Sequence, residues 1–491
     1  MLRYQRLLHS IPKRAYTTTI IDRLLSLDGP GNKHFDRAYK TDWKTESFDQ
    51  LADSASLNQS KQEVQMSTLE NGIRVVSRAC QVPGHIQMGL VMNVGTRHET
   101  NQTSGALHSI KTTMFKSALH TNETVNYGMV QMSGGSYTMN YDREFAVYNA
   151  SCMDHDVVDI FSMMTDCALE PRNILAANVA MEKLGHSHKS IRASNKHHDL
   201  DDLVMRNVYG DSGLGNSILG NESNISNLTA FMLQKFQIEN ISPEKIVVTA
   251  LGVKNHQEFL ELVNDRLGDL NYGVHLNEAN TSTFREGKFL TPERGNSSDI
   301  VVCFESAQWS DVQKVVSSQL LESLLGSVEG GHFESLISPD GVLYRDFYSK
   351  NSGVLAVEAF SQHYSDSGIF GLRMSTFAQN NSQNLGSLLE TVKRAVNEVS
   401  EEDLAMAKKR LKVRVMRAMD NKATKCEEFG RNVMSLGSVV GDQWVQELDT
   451  LTTKQWKTTV NAILAGKVNL TGKGSNMEGL LSLEQVKQVF A

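Results

Sequence analysis

The sequence is poor in cysteine and has no long apolar run. Five cysteines stand among 491 residues. Cys80, Cys152, Cys167, Cys303 and Cys426 are scattered, odd in number and without a C-x-x-C pair. Neither a disulfide framework nor a thiolate zinc site is expected from them, and reduced thiols suit an intracellular or matrix compartment. No 18 apolar residues follow one another, so no membrane-spanning helix is predicted. The most apolar stretch, Ile246–Val253, is short and reads as a buried strand. An excess of positive charge is also missing: 49 Lys and Arg face 56 Asp and Glu, a net charge of −7. Nucleic acid is therefore not an expected partner, because phosphate neutralisation needs a basic surface. No G-x-x-x-x-G-K-[ST] loop and no G-x-S-x-G elbow occurs.

What is present is ordinary globular composition, with 40% hydrophobic and 21% charged residues. The length allows two to four domains. The first residues stand apart. Arg3, Arg6, Lys13 and Arg14 precede the first acid, Asp22, and Tyr4, Leu7, Leu8 and Ile11 recur at helical spacing. A basic, hydroxylated, amphipathic segment of this kind reads as a mitochondrial presequence, assigned to residues 1–16. Residues 17–65 read as a polar N-terminal extension.

From Met66 onward the pattern is regular. Asn71-Gly72 between two short apolar runs marks a hairpin, because both residues tolerate positive φ. A strand over Ile86–Val94 leads to a helix over about 104–118. A strand pair, Ser136–Met139 and Glu144–Cys152, leads to a helix over about 155–168. The order then repeats: strand Asp299–Glu305, helix over about 311–325, strands Gly353–Gln362 and Gly368–Ser375, helix over about 383–399. A further helix opens with a capping box at Ser400 and carries the stripe Leu404, Ala407, Leu411, Val415 and Ala418. The expected fold class is α+β, with two homologous α/β-sandwich halves built from duplicated β-α-β-β-α units. The halves are read as 66–270 and 299–491, joined by a polar linker over 271–298.

Several segments carry a resemblance. Gly95-Thr96-Arg97-His98-Glu99, Gly105-Ala106-Leu107-His108 and Phe115-Lys116 stand in the first half. Ser217-Ile218-Leu219-Gly220 follows, and Tyr364-Ser365-Asp366-Ser367-Gly368-Ile369-Phe370-Gly371 stands in the second. In order and spacing they resemble the pitrilysin-type (M16) metallopeptidases, specifically the mitochondrial branch, over about residues 66–491.

The resemblance implies an H-x-x-E-H helix, with two histidines on zinc and a glutamate as general base, and a further glutamate as third ligand. Here the motif reads His108-Ser109-Ile110-Lys111-Thr112. A lysine cation repels zinc and cannot take a proton from its water, and threonine is a poor zinc ligand. The third-ligand window, about 182–195, holds a carboxylate only at its edge, Glu182. No catalytic residue, metal or cofactor is therefore expected. His186, His188, His197 and His198 lie among lysines and arginines and read as a solvated helix. The branch's glycine-rich, substrate-holding loop corresponds to Gly326, Gly330 and Gly331 with Glu329 and Glu334. It is short, and equally reads as a plain helix-to-strand connection. The resemblance implies a non-catalytic core subunit of the respiratory cytochrome bc1 complex (complex III), on the matrix side of the mitochondrial inner membrane. Its partners would be a β-type (core 1) subunit, cytochrome b, cytochrome c1 and the Rieske subunit. The alternative is the α-type subunit of the matrix processing peptidase, binding presequence peptides for a zinc-bearing β-type partner. Both roles can reside in one chain.

Overall fold

The computed structural model describes residues 64–79, 84–270 apart from 114, 116, 119–120, 177, 180–195 and 226, then 281–328, 341–439 and 441–490. The presequence reading, the extension up to residue 63, the third-ligand window and Gly330 and Gly331 lie outside these residues, and Gln65, read as the end of the extension, already begins a strand.

The first half builds a six-stranded sheet from β1 (Gln65–Thr68), β2 (Arg74–Arg78), β3 (His85–Met92), β4 (Ser136–Tyr141), β5 (Ala146–Met153) and β6 (Ile246–Leu251). Their spatial order is β1-β2-β6-β3-β5-β4. The β1–β2 hairpin turns at Asn71-Gly72, with Gly72 at φ +96°. Only glycine takes that conformation without strain. β6 is buried along its whole length, as its uninterrupted apolar run predicts. The helices longer than one turn are α1 (Ala106–Thr113), α2 (Glu123–Met132), α3 (Val157–Leu169), α4 (Lys196–Tyr209), α5 (Ala230–Asn240) and α6 (His256–Leu267). α1 is shorter than the periodicity predicts.

The second half repeats the plan. Its strands are β7 (Gly287–Pro292), β8 (Ser297–Glu305), β9 (Ser327–Val328), β10 (Val354–His363), β11 (Gly368–Phe377) and β12 (Val468–Gly474), in the order β9-β10-β11-β8-β12-β7. β6 pairs parallel to β2 and antiparallel to β3, and β12 pairs parallel to β7 and antiparallel to β8. The two sheets thus share one five-stranded topology, with one extra edge strand each, β1 and β9. The fold is a mixed α+β duplication.

The equivalence corrects one expectation. β7 lies inside the segment read as a polar linker over 271–298. It is an edge strand with no fully buried residue, so its sequence, GKFLTP, shows neither an apolar run nor a clean alternation. The second repeat opens at β7 as the first opens at β2.

The remaining helices are α7 (Val312–Leu325), α8 (Asn381–Glu398), α9 (Glu401–Asp420), α10 (Lys422–Leu436), α11 (Gly441–Thr450), α12 (Thr453–Leu464) and α13 (Leu483–Phe490). The capping box at Ser400 is present, with Asp403 at the third helical position. Leu404, Ala407 and Leu411 are buried, but the stripe ends there, with Val415 half-buried and Ala418 exposed.

Each half lends a helix to the other. Cys426, Phe429 and Val433 of α10 pack on Val76, Val91, Phe145, Val147, Val247 and Leu251 of the first sheet. Leu200, Val204, Met205, Val208 and Tyr209 of α4 pack with Val301, Cys303 and Ile369 of the second. Each sheet buries its opposite face under its own half's helices. Both faces of both sheets are covered only when the two halves are together.

Candidate functional site

α1 carries His108-Ser109-Ile110-Lys111-Thr112, the segment that the resemblance sets against H-x-x-E-H. Gly105, at φ +90°, makes the turn into the helix. Glu99 supplies the cap from outside the helix: its carboxylate accepts the backbone N–H of Gly105 at 2.8 Å and of Leu107 at 2.9 Å. Glu99 is only 5% exposed. Burial pushes its carboxyl up to about 8, against the opposing pull of those N–H groups. Nothing in the sequence pattern alone assigns Glu99 this role. The available signal was an acid just ahead of a helix start that has no Ser, Thr, Asp or Asn cap with such a bond.

One turn into α1, His108 Nδ1 shares a 2.8 Å hydrogen bond with the Tyr141 hydroxyl from β4. Lys111 Nζ stands 5.6 Å from the centre of the Tyr141 ring. Partial burial lowers the Lys111 ammonium below its ordinary value. Burial raises the Tyr141 hydroxyl above its own, and nearby Glu99 and Asp202 add to this. Thr112 turns its hydroxyl back onto the Ser109 carbonyl, at 2.9 Å. His108 and Thr112 stand four residues apart on one helix, the spacing for two ligands on one face. However, Thr112 is bonded into the helix backbone and Lys111 brings a cation. These side chains do not fit a zinc ion. Among the described residues, no group of three or more His, Cys, Asp or Glu side chains could hold a metal ion.

The motif segments of the two halves meet. Arg97 pairs with Glu144 and with Asp366, and its guanidinium also donates to Ser365 Oγ at 3.0 Å. The Ser365 backbone N–H and hydroxyl donate to Glu144. The Asp366 carboxylate accepts the Ser282 backbone N–H at 2.8 Å. Ser367 shares a 3.0 Å hydrogen bond with the Tyr209 hydroxyl on α4. So Gly95–Glu99 and Tyr364–Gly371 form one buried polar cluster across the junction of the halves. A cavity of about 290 Å³ opens beside it, lined by Asn93, Arg97, His98, Lys245, Thr281 and Ser365. Burial, together with the charges of Lys245 and Arg97, lowers the His98 imidazole to about 4, so it is neutral near pH 7. A second polar cavity, about 230 Å³, is lined by Asp199, Asp202, Arg206, Asp211 and Asn216 among others. Asp202 there is already held by Arg143 and the Ser217 hydroxyl.

Of the glycine-rich loop, Gly326 alone is described. It ends α7 at φ +74°, its N–H donating to the Glu322 carbonyl, and β9 follows directly.

The paired sheets and the exchanged helices define a class: a two-half, peptidase-like α+β chain. Comparison with known families agrees. Residues 74–222 match the family model described as Insulinase (Peptidase family M16), and residues 227–411 match the one described as Peptidase M16 inactive domain. The chain belongs to peptidase family M16. It is 24% identical over 420 residues to mitochondrial-processing peptidase subunit alpha of Solanum tuberosum, covering 84% of this chain and 82% of that protein. It is 25% identical over 400 residues to a probable mitochondrial-processing peptidase subunit alpha-2 of Arabidopsis thaliana, covering 80% and 78%. Mitochondrial-processing peptidase subunit beta of Neurospora crassa is 21% identical over 389 residues, covering 76% and 80%.

Proposed function

We propose that this chain is a non-catalytic, α-type subunit of a mitochondrial processing peptidase, working in the matrix with a zinc-bearing β-type partner. The observation that carries the reading is Lys111, on α1 beside His108 and Tyr141 where a general base would stand. A cation there neither deprotonates a zinc-bound water nor tolerates the metal. Similarity over about four-fifths of the chain to proteins named as processing-peptidase alpha subunits supports the choice of subunit. The chain's role would be to bind presequences and present them to the partner's zinc. A net charge of −7 suits basic, Arg-rich peptides. The glycine loop from Gly326 through Gly330 and Gly331 is the proposed holding element.

The complex III reading, with cytochrome b, cytochrome c1 and the Rieske subunit as partners, draws no support from these relatives. Among the described residues no helix is long and apolar enough to cross a membrane.

The test is reconstitution. The chain is purified with the β-type subunit of its own organism and assayed on a fluorogenic presequence peptide. Cleavage that needs both chains, and zinc found only in the partner, is the expected result. Cleavage by this chain alone would overturn the reading. So would a chain that is recovered only with cytochrome subunits and leaves cleavage unaffected.

A further inference from the structure

The core-facing stripe of α9, Leu404, Ala407 and Leu411, is buried against the second half. The opposite face carries a second stripe. Glu402, Met406, Lys409, Val413, Met416 and Asp420 follow one another at alternating steps of four and three residues, and all six are exposed. Met406 is 53% exposed, Val413 62% and Met416 67%. Steps of four and three are the spacing of a helix–helix seam, and at 1.5 Å per residue this one is about 27 Å long. A helix that already buries one face has no need of a second apolar stripe for its own fold.

The charge beside the seam is of one sign. Lys408, Lys409, Arg410, Lys412, Arg414 and Arg417 lie on α9 with no acid between Asp403 and Asp420, in a chain whose net charge is −7. Lys412 is paired with Asp449 and Arg414 with Glu322. Lys408 donates to the carbonyls of Asp449 and Leu451. Among the described residues Lys409, Arg410 and Arg417 have no ion pair, and the Arg410 Nε is buried without a hydrogen-bond partner.

We propose that this face of α9 docks an acidic amphipathic helix of the zinc-bearing partner subunit. Met406, Val413 and Met416 would form the apolar seam, and Lys409, Arg410 and Arg417 would pair with carboxylates on either side of it. The proposal rests on the processing-peptidase reading. Charge decides the occupant. A basic presequence is repelled. A second copy of this chain would bring the same Lys409, Arg410 and Arg417 to the seam, which concentrates like charge. A lipid surface is opposed by Glu402 and Asp420 at the ends of the stripe and by the absence of Trp, Phe or Leu on it.

The experiment titrates the purified full-length chain with the β-type subunit, and repeats the titration with K409E/R417E, with V413D and with the control K454E, which is exposed on α12. All are surface changes, and circular dichroism verifies the fold. The expected result is binding weakened about tenfold or more by K409E/R417E and by V413D, and unchanged by K454E. Wild-type affinity should fall more steeply than that of K409E/R417E between about 0.05 and about 0.3 M salt. Zero-length carbodiimide coupling should join Lys409 to an Asp or Glu within a helix of the partner. Wild-type affinity in both variants overturns the proposal and leaves the processing-peptidase reading standing. So does a Lys409 cross-link to a second copy, or a seam that instead drives binding to vesicles of phosphatidylcholine and cardiolipin. Failure of the wild-type chain to bind the β-type subunit at all overturns both.

Discussion

Arg97 and Asp366 lie 269 residues apart in the sequence and meet at 2.7 Å, Nη2 donating to Oδ2. The same guanidinium pairs with Glu144, and the side chains of Arg97 and Glu144 are 5% and 4% exposed. One arginine therefore neutralises two carboxylates, one from each half, where neither half alone could satisfy it.

Removing that arginine leaves both carboxylates without their counter-charge. An uncompensated buried charge costs about 3–5 kcal/mol. Arg97→Ala is therefore expected to lower the unfolding free energy by about that much. Asp366→Asn should cost less, because Asp366 is the more exposed acid and Asn keeps an acceptor for Ser282. Urea denaturation of the three proteins checks the order; equal stability of R97A and wild type would mean the cluster contributes nothing to the fold.

The exchange of α4 and α10 makes a second prediction. A fragment of residues 64–270 would expose Val76, Val91, Phe145, Val147, Val247 and Leu251, which α10 now covers. It is expected to show no cooperative thermal transition alone, and to recover one when co-expressed with residues 281–491. Within α10, a Cβ on Gly430 would stand 2.3 Å from Val91 Cγ2. Gly430→Ala gains helix propensity yet is expected to lose about 1–3 kcal/mol, because a short branched valine in a packed sheet cannot move aside. Equilibrium denaturation of G430A against wild type decides the sign.

The duplication was legible because paired strands and amphipathic helices leave a period, and the period occurs twice. β7 was not, since an edge strand half-buried against one neighbour carries no clear alternation. The reciprocal helices were not legible either: Leu200, Val204 and Val208 announce an apolar face but not whose sheet it covers. On α1, the cation at Lys111 and the hydroxyl at Thr112 could be read directly. Their surroundings could not, because Glu99 and Tyr141 reach α1 from a preceding loop and from β4. The meeting of Arg97 with Asp366 depended on bringing two distant motifs to one junction, and no local pattern encodes that.

Glu99 predicts a pH dependence. Its carboxyl is pushed up to about 8 when folded, whereas an unfolded glutamate titrates near about 4.3. Between those values the unfolded chain has lost the proton and the folded chain keeps it, so the folded state binds more protons. Stability must then fall as pH rises through this window, by at most about 1.4 kcal/mol per pH unit from this residue, and level off above about pH 8. Glu99→Gln keeps one acceptor for the α1 N–H groups and cannot ionise. Melting temperatures from pH 5 to 9 should show the wild-type decline lessened in E99Q; parallel curves would place the titration elsewhere.

The isolated chain is expected to hold no zinc in stoichiometric amount, and a chelator should leave its melting temperature unchanged, while the same chelator abolishes cleavage by the complex with the β-type partner. The proposed loss of the motif at Lys111 and Thr112 can be tested in reverse. Thr112→His places a second imidazole on the face of α1 that carries His108, and Lys111→Glu replaces the cation with a carboxylate. Thr112→His alone leaves the repelling ammonium in place, so K111E/T112H should bind zinc more tightly than T112H. Tyr141 gives the comparison a further control. Its hydroxyl holds His108 Nδ1 at 2.8 Å, which presents Nε2 as the ligating atom in the manner of an outer-shell partner. Tyr141→Phe in the K111E/T112H background should cost about 10–100-fold in zinc affinity. Zinc bound stoichiometrically by the wild-type chain, measured by plasma mass spectrometry after dialysis, would contradict the argument from Lys111 and return the chain to the catalytic members of its family.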